Sequence, residues 1–167
     1  MDRQKRRLPP TDPHCWPHKY YYMNALRSRI DDAIPLWERG RQEGAFLNVL
    51  IAVAATARKR YPKMKDREAF EQFLRDSHSV TLSVEYRGEC HPIEHVFYKW
   101  MRCQLVHEGG IPIDIEFMQE VQPASMSVRA GGAPKFILKI GTGWFQHMIG
   151  SVVRAPENIN QYSNKKT

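Results

Sequence analysis

Arg102 and His107 are the residues of this chain best equipped for chemistry on a phosphodiester. They lie five positions apart in Tyr98-Lys99-Trp100-Met101-Arg102-Cys103-Gln104-Leu105-Val106-His107-Glu108-Gly109-Gly110. An arginine keeps its charge and grips phosphate oxygens with a planar fork. A histidine takes or gives a proton near neutral pH. Together they can move a proton and stabilise a developing charge without a metal. Gly109 and Gly110 stop the helix that carries them.

At 100° per residue, His95, Lys99, Arg102, Cys103, Val106 and His107 share one face, and Ile93, Phe97, Trp100, Met101 and Leu105 turn to the core. Arg102 and His107 flank the polar face about 140° apart. One helix cannot easily aim both at a single phosphate, whereas two copies packed face to face can, which points to a symmetric homodimer with a composite site. His107 lies in the last turn, where helix carbonyls favour imidazolium, and Arg102 opposes that charge.

The elements that must position this pair follow from periodicity. Residues 1–18, with four prolines and the run Arg3, Lys5, Arg6, Arg7, read as a flexible basic arm. A helix is expected from Lys19 towards Arg39, with Met23, Leu26, Ile30, Ala33 and Trp37 as its apolar stripe and Pro35 kinking or ending it early. A second, from Ala45 to Lys59, is apolar almost all round and so belongs to the core or a dimer interface. A third runs from Asp66, as N-cap, to Arg75. Val80, Leu82, Val84 and Tyr86 alternate as a half-buried strand. The site helix spans Pro92 to Gly109.

Ile111, Ile113, Ile115 and Phe117 alternate next, followed by a hairpin of Met126–Arg129 and Lys135–Ile140 about Gly131-Gly132. A last helix opens at Thr142 or Gly143 and ends before Pro156. Residues 157–167 read as a flexible tail. The expected fold class is α+β: a bundle of four to five helices with a small, mostly antiparallel sheet in the C-terminal half, forming a single domain over residues 19–156.

The chain has 167 residues and a formal net charge of +7, with a sequence pI near 9.5. That excess favours polyanionic partners, RNA first among them. Arg58, Lys59 and Arg60 form a basic cluster suited to phosphate contacts. No apolar run is long enough for a bilayer and no secretory core follows the basic start, so a cytoplasmic protein is expected. Cys15, Cys90 and Cys103 are too few and odd in number for a disulfide scaffold.

Cys90, His91 and His95, with His14, Cys15 and His18, invite a zinc reading, but they lack a Cys-x-x-Cys knuckle and Pro92 divides them. No metal or other cofactor is expected. Tyr20, Tyr21, Tyr22 and Trp16 read as packing aromatics before base-stacking ones. The bland alternative for the central pair is that Arg102 pairs with Asp66 or Glu108 while His107 caps helix carbonyls.

The arginine, four intervening residues and helix-closing histidine resemble the HEPN superfamily (higher eukaryote and prokaryote nucleotide-binding), over residues 19–110. The resemblance implies a homodimeric, metal-independent endoribonuclease with Arg102 and His107 catalytic. His95, Lys99, Cys103 and Glu108 would lie around the RNA, with Arg58, Lys59 and Arg60 as further contacts. It also implies a toxin or anti-phage setting with an antitoxin or sensor protein as partner. Cys103 departs from the Asn, Asp or His common at that position. The alternatives are a non-catalytic nucleic-acid- or partner-binding module of that fold and, third, a small zinc-binding regulator.

Overall fold

The computed structural model describes residues 18–119, 125–132 and 134–162. Three helices open it: α1 (His18–Glu38), α2 (Gln42–Arg60) and α3 (Asp66–Asp76). Helix α2 is the axis of the core, as its nearly unbroken apolar sequence requires. Phe46, Val49, Leu50, Val53 and Ala57 are all buried, and neighbours pack on several sides. Pro35 does not end α1, which continues to Glu38. So near the C-terminus, the proline removes one bond that packing readily offsets. Ala33 is buried before it, and Trp37 beyond it stacks on Phe145 at 4.2 Å.

An antiparallel hairpin of β1 (Ser83–Tyr86) and β2 (Glu89–Pro92) follows, pairing Val84 with His91 and Tyr86 with Glu89. Val84 and Tyr86 face inward as the alternation predicts, whereas Val80 is exposed. Arg87 (φ 55°) and Gly88 (φ 79°) make the two-residue turn with left-handed backbone at both positions, the form that matches strand twist.

Helix α4 runs directly from β2. It comprises Ile93–His95, a π-helical stretch Val96–Arg102 and Cys103–His107. Ile93, Phe97, Met101 and Leu105 are buried at a constant spacing of four. In a pure α-helix each such step drifts about 40°. The wider π turns cancel much of that drift and hold the four on one seam, so the uniform 100° projection over 93–107 needs correcting.

A three-stranded sheet in the order β3-β5-β4 closes the fold: β3 (Ile115–Met118), β4 (Val128–Ala130) and β5 (Leu138–Gly141). β5 is parallel to β3 and antiparallel to β4. Ile113, expected in a strand, is 97% exposed in the turn before β3. Helix α5 (Gly143–Val153) then packs Trp144, Phe145, Met148 and Val152 into the core. A Cβ on Gly143 would collide with the carbonyl of Ser125.

The chain does not fray at residue 157. A 3-10 turn, Pro156–Asn158, leads into α6 (Ile159–Tyr162). Asn158 is buried and donates to Thr56 Oγ1 and the Val152 carbonyl, both at 2.9 Å. The arm at residues 1–17, with His14 and Cys15, and the tail at 163–167 lie outside the described residues. The α+β class, a helical bundle with small and mostly antiparallel sheets, is the architecture observed.

Candidate functional site

Arg102 is half-buried against α3, with Nη1 3.3 Å from Asp66 Oδ2 and its guanidinium 5.3 Å from the Tyr98 ring centroid. Tyr98 donates to the same Asp66 oxygen at 3.2 Å. Burial, then the charge of Asp66, raises the Tyr98 pKa above its ordinary value. Arg102 Nε is buried with no hydrogen-bond partner. The guanidinium is therefore fixed by one carboxylate and one ring face.

This corrects the expected role of Asp66. It is the first residue of α3, with Lys65 at the N-cap position; its carboxylate pairs with Arg102 of α4. Of the two acids weighed as partners for Arg102, the structure pairs it with Asp66.

His107 closes α4 and is exposed, as are Lys99, Val106 and Glu108. Lys99 lies 4.4 Å over the Trp100 ring. His107 lies in the α-helical last turn, beyond the π-helical stretch that ends at Arg102, while Arg102 faces α3. Within one chain the pair does not converge. Cys103 is half-buried beside Tyr98.

His95 is bound elsewhere on α3. Its Nδ1 lies 2.8 Å from Glu71 Oε1, and its ring stacks on His91 at 5.4 Å. Glu71 thus holds His95 as Asp66 holds Arg102. Among the described residues no group of His, Cys, Asp and Glu is arranged to hold a metal ion.

The basic cluster is only partly available. Arg60 is held by Glu157 through two hydrogen bonds of 2.8 and 3.0 Å and sits 4.8 Å over the Phe73 ring. Lys59 donates to Asn158 at 3.0 Å. Arg58 is exposed. Asp66 and Phe73 are separated by about 10 Å of α3, so the Arg60 cluster and Arg102 do not form one surface.

The Rv1289 family model matches residues 25–167. The chain belongs to the Rv1289 family. No curated protein and no solved structure matches it. In this Rv1289 chain the match takes in the Arg102–Asp66 pair, His107 and the sheet beyond them.

Two features escaped the sequence reading. A buried network joins the segment just after α3 to α4 and α5: His78 Nε2 lies 3.3 Å from Glu94 Oε1, with both side chains under 5% exposed. The His78 and His147 rings are 6.0 Å apart, and His147 Nε2 is 2.9 Å from Ser77 Oγ. The second feature is a groove between the β1–β2 turn and the β4–β5 connection. Arg87-Gly88 and Gly131-Gly132 signalled turns, but nothing in the sequence says that the two turns face each other.

Proposed function

We propose that the protein is a metal-independent endoribonuclease of HEPN type, acting as a homodimer in which Arg102 and His107 of two copies complete the cleavage site. The supporting observation is the form of the pair. Arg102 is pre-oriented by Asp66 and Tyr98, and His107 stands in solvent at the end of the same helix. A fixed cation next to a free acid–base group suits a reaction whose transition state gathers negative charge. Their divergence within one chain is what a second copy would resolve.

In the reaction, His107 of one copy takes the proton of the RNA 2′-hydroxyl as that oxygen attacks phosphorus. His107 of the other copy protonates the departing 5′-oxygen. Arg102 stabilises the charge on the phosphorane-like transition state. The products are a 2′,3′-cyclic phosphate and a 5′-hydroxyl. The cytoplasm supplies the substrate, and a toxin or anti-phage setting with a restraining protein partner fits such an activity. No described helix is long and apolar enough to cross a membrane.

One observation favours a second reading. Asp66 already occupies the Arg102 charge, which suits a non-catalytic nucleic-acid- or partner-binding module whose contacts lie on other, exposed residues such as Arg58. RNA incubated with the protein in EDTA separates the two. Cleavage to 2′,3′-cyclic phosphate ends supports the nuclease, whereas salt-sensitive binding without cleavage supports the module.

A further inference from the structure

A groove of about 560 Å³ lies between two turns and is lined by Glu85, Tyr86, Arg87, Gly88, Ala130, Gly131, Gly132 and the segment Phe136–Leu138. We propose that this groove seats an unpaired base of single-stranded RNA, an inference that rests on the nuclease or RNA-binding reading above.

Three observations support a base as the occupant. First, Phe136 is 66% exposed beside the groove. An exposed ring at the mouth of a cavity offers a face on which any base can stack. Second, Gly88 and Gly132 face open space where a side chain would stand, so the two turns leave room for a planar ring. Third, the polar groups are fixed. Arg87 is held by Asp114 at 2.8 and 2.9 Å and lies over Trp100 at 4.7 Å. It keeps a left-handed backbone (φ 55°) that a non-glycine residue adopts at some strain. Asp114 also accepts from the Tyr86 hydroxyl at 2.6 Å.

Charge and placement favour RNA over an apolar partner. Arg129 and Lys135 directly adjoin the lining residues Ala130 and Phe136 in the chain, and Lys99 lies over the Trp100 ring that Arg87 also covers. Glu85, at the rim, can accept from the amino group of cytosine but repels the O4 acceptor of uracil. The Arg87–Trp100 contact sets the groove beside α4, the helix that ends at the exposed His107.

Binding of a labelled oligocytidylate to the His107→Ala protein, which removes the proposed acid–base group, tests the seat apart from cleavage. Phe136→Ala is expected to weaken binding about tenfold, the loss of one stacked base. Phe136→Tyr should retain affinity, and double-stranded RNA should bind both proteins alike. Oligouridylate should bind the parent more weakly than oligocytidylate. Unchanged oligocytidylate affinity in Phe136→Ala overturns the seat while leaving the RNA reading intact. Absence of any RNA binding by the parent overturns both. Loss of self-association with RNA affinity unchanged would make Phe136 an interface residue and also overturns it.

Discussion

Arg102 on α4 and Asp66 at the first turn of α3 meet at 3.3 Å, and Tyr98 binds the same carboxylate oxygen. This contact ties the helix end that carries His107 to the bundle and sets the direction of the guanidinium. Asp66 and Arg102 are both partly exposed, so solvent screens the pair and its share of folding stability is under about 1 kcal/mol. Its larger effect is on orientation.

Asp66→Asn should therefore leave the unfolding midpoint nearly unchanged. Freed of a negative neighbour, Arg102 should bind RNA more tightly at low salt, yet cleavage should slow about tenfold as the fixed geometry is lost. Affinity by fluorescence anisotropy and single-turnover cleavage separate these effects. Weaker binding together with faster cleavage would contradict the positioning role.

The fold depends on an aromatic wall between α1, α2 and α5. Phe145 is fully buried, stacks on Trp37 at 4.2 Å and lies 5.6 Å from Phe46. Phe145→Ala should cost about 3–5 kcal/mol, from lost burial plus the cavity left behind. Urea unfolding followed by tryptophan fluorescence measures this. A change under about 1 kcal/mol would show that the wall is not packed as described.

His147 gives stability a dependence on pH. Burial first, then the charges of His78 and Arg154, hold its pKa below the ordinary 6.5. As pH falls through 6.5 the unfolded chain takes up a proton that the folded chain refuses. The stabilisation present above 6.5 is then lost towards the lower folded pKa. Glu157 and Asp114, held below 4.5 and 3.8 chiefly by hydrogen bonds from Arg60 and Arg87, add a separate loss in stronger acid. Unfolding measured between about pH 7.5 and 5.5 should show falling stability that His147→Gln flattens. An equal slope in both proteins would assign the loss to other groups.

Much of the architecture was legible in the chain. The run Phe46 to Ala57 read as core or dimer interface and lies in the core, and of the inward set Ile93, Phe97, Trp100, Met101 and Leu105 all are buried but the half-buried Trp100. The π-helical turns behind that set were not legible, because a spacing of four fits an α-helix equally well until packing selects the wider turn. Asp66 looked like a cap because local sequence favours capping, and only the tertiary approach of α4 redirects it. The hairpin at Arg87-Gly88 was hidden because arginine is an unusual residue for left-handed backbone, and Asp114, 27 residues on, stabilises it there. Asn158 looked like part of a tail, since its partners Thr56 and Val152 are brought to it only by the fold. At the candidate site, the divergence of Arg102 and His107 was readable from helical geometry, but the Asp66 clamp was readable only as one of two possible pairings.

The most direct measurement is RNA cleavage in EDTA by the parent, Arg102→Ala and His107→Ala proteins, with the mass of each in solution determined alongside. The expected result is a dimeric parent that leaves 2′,3′-cyclic phosphate ends and two dimeric variants without cleavage. Cleavage that survives either substitution, or no cleavage by the parent dimer, would contradict a composite site built from Arg102 and His107.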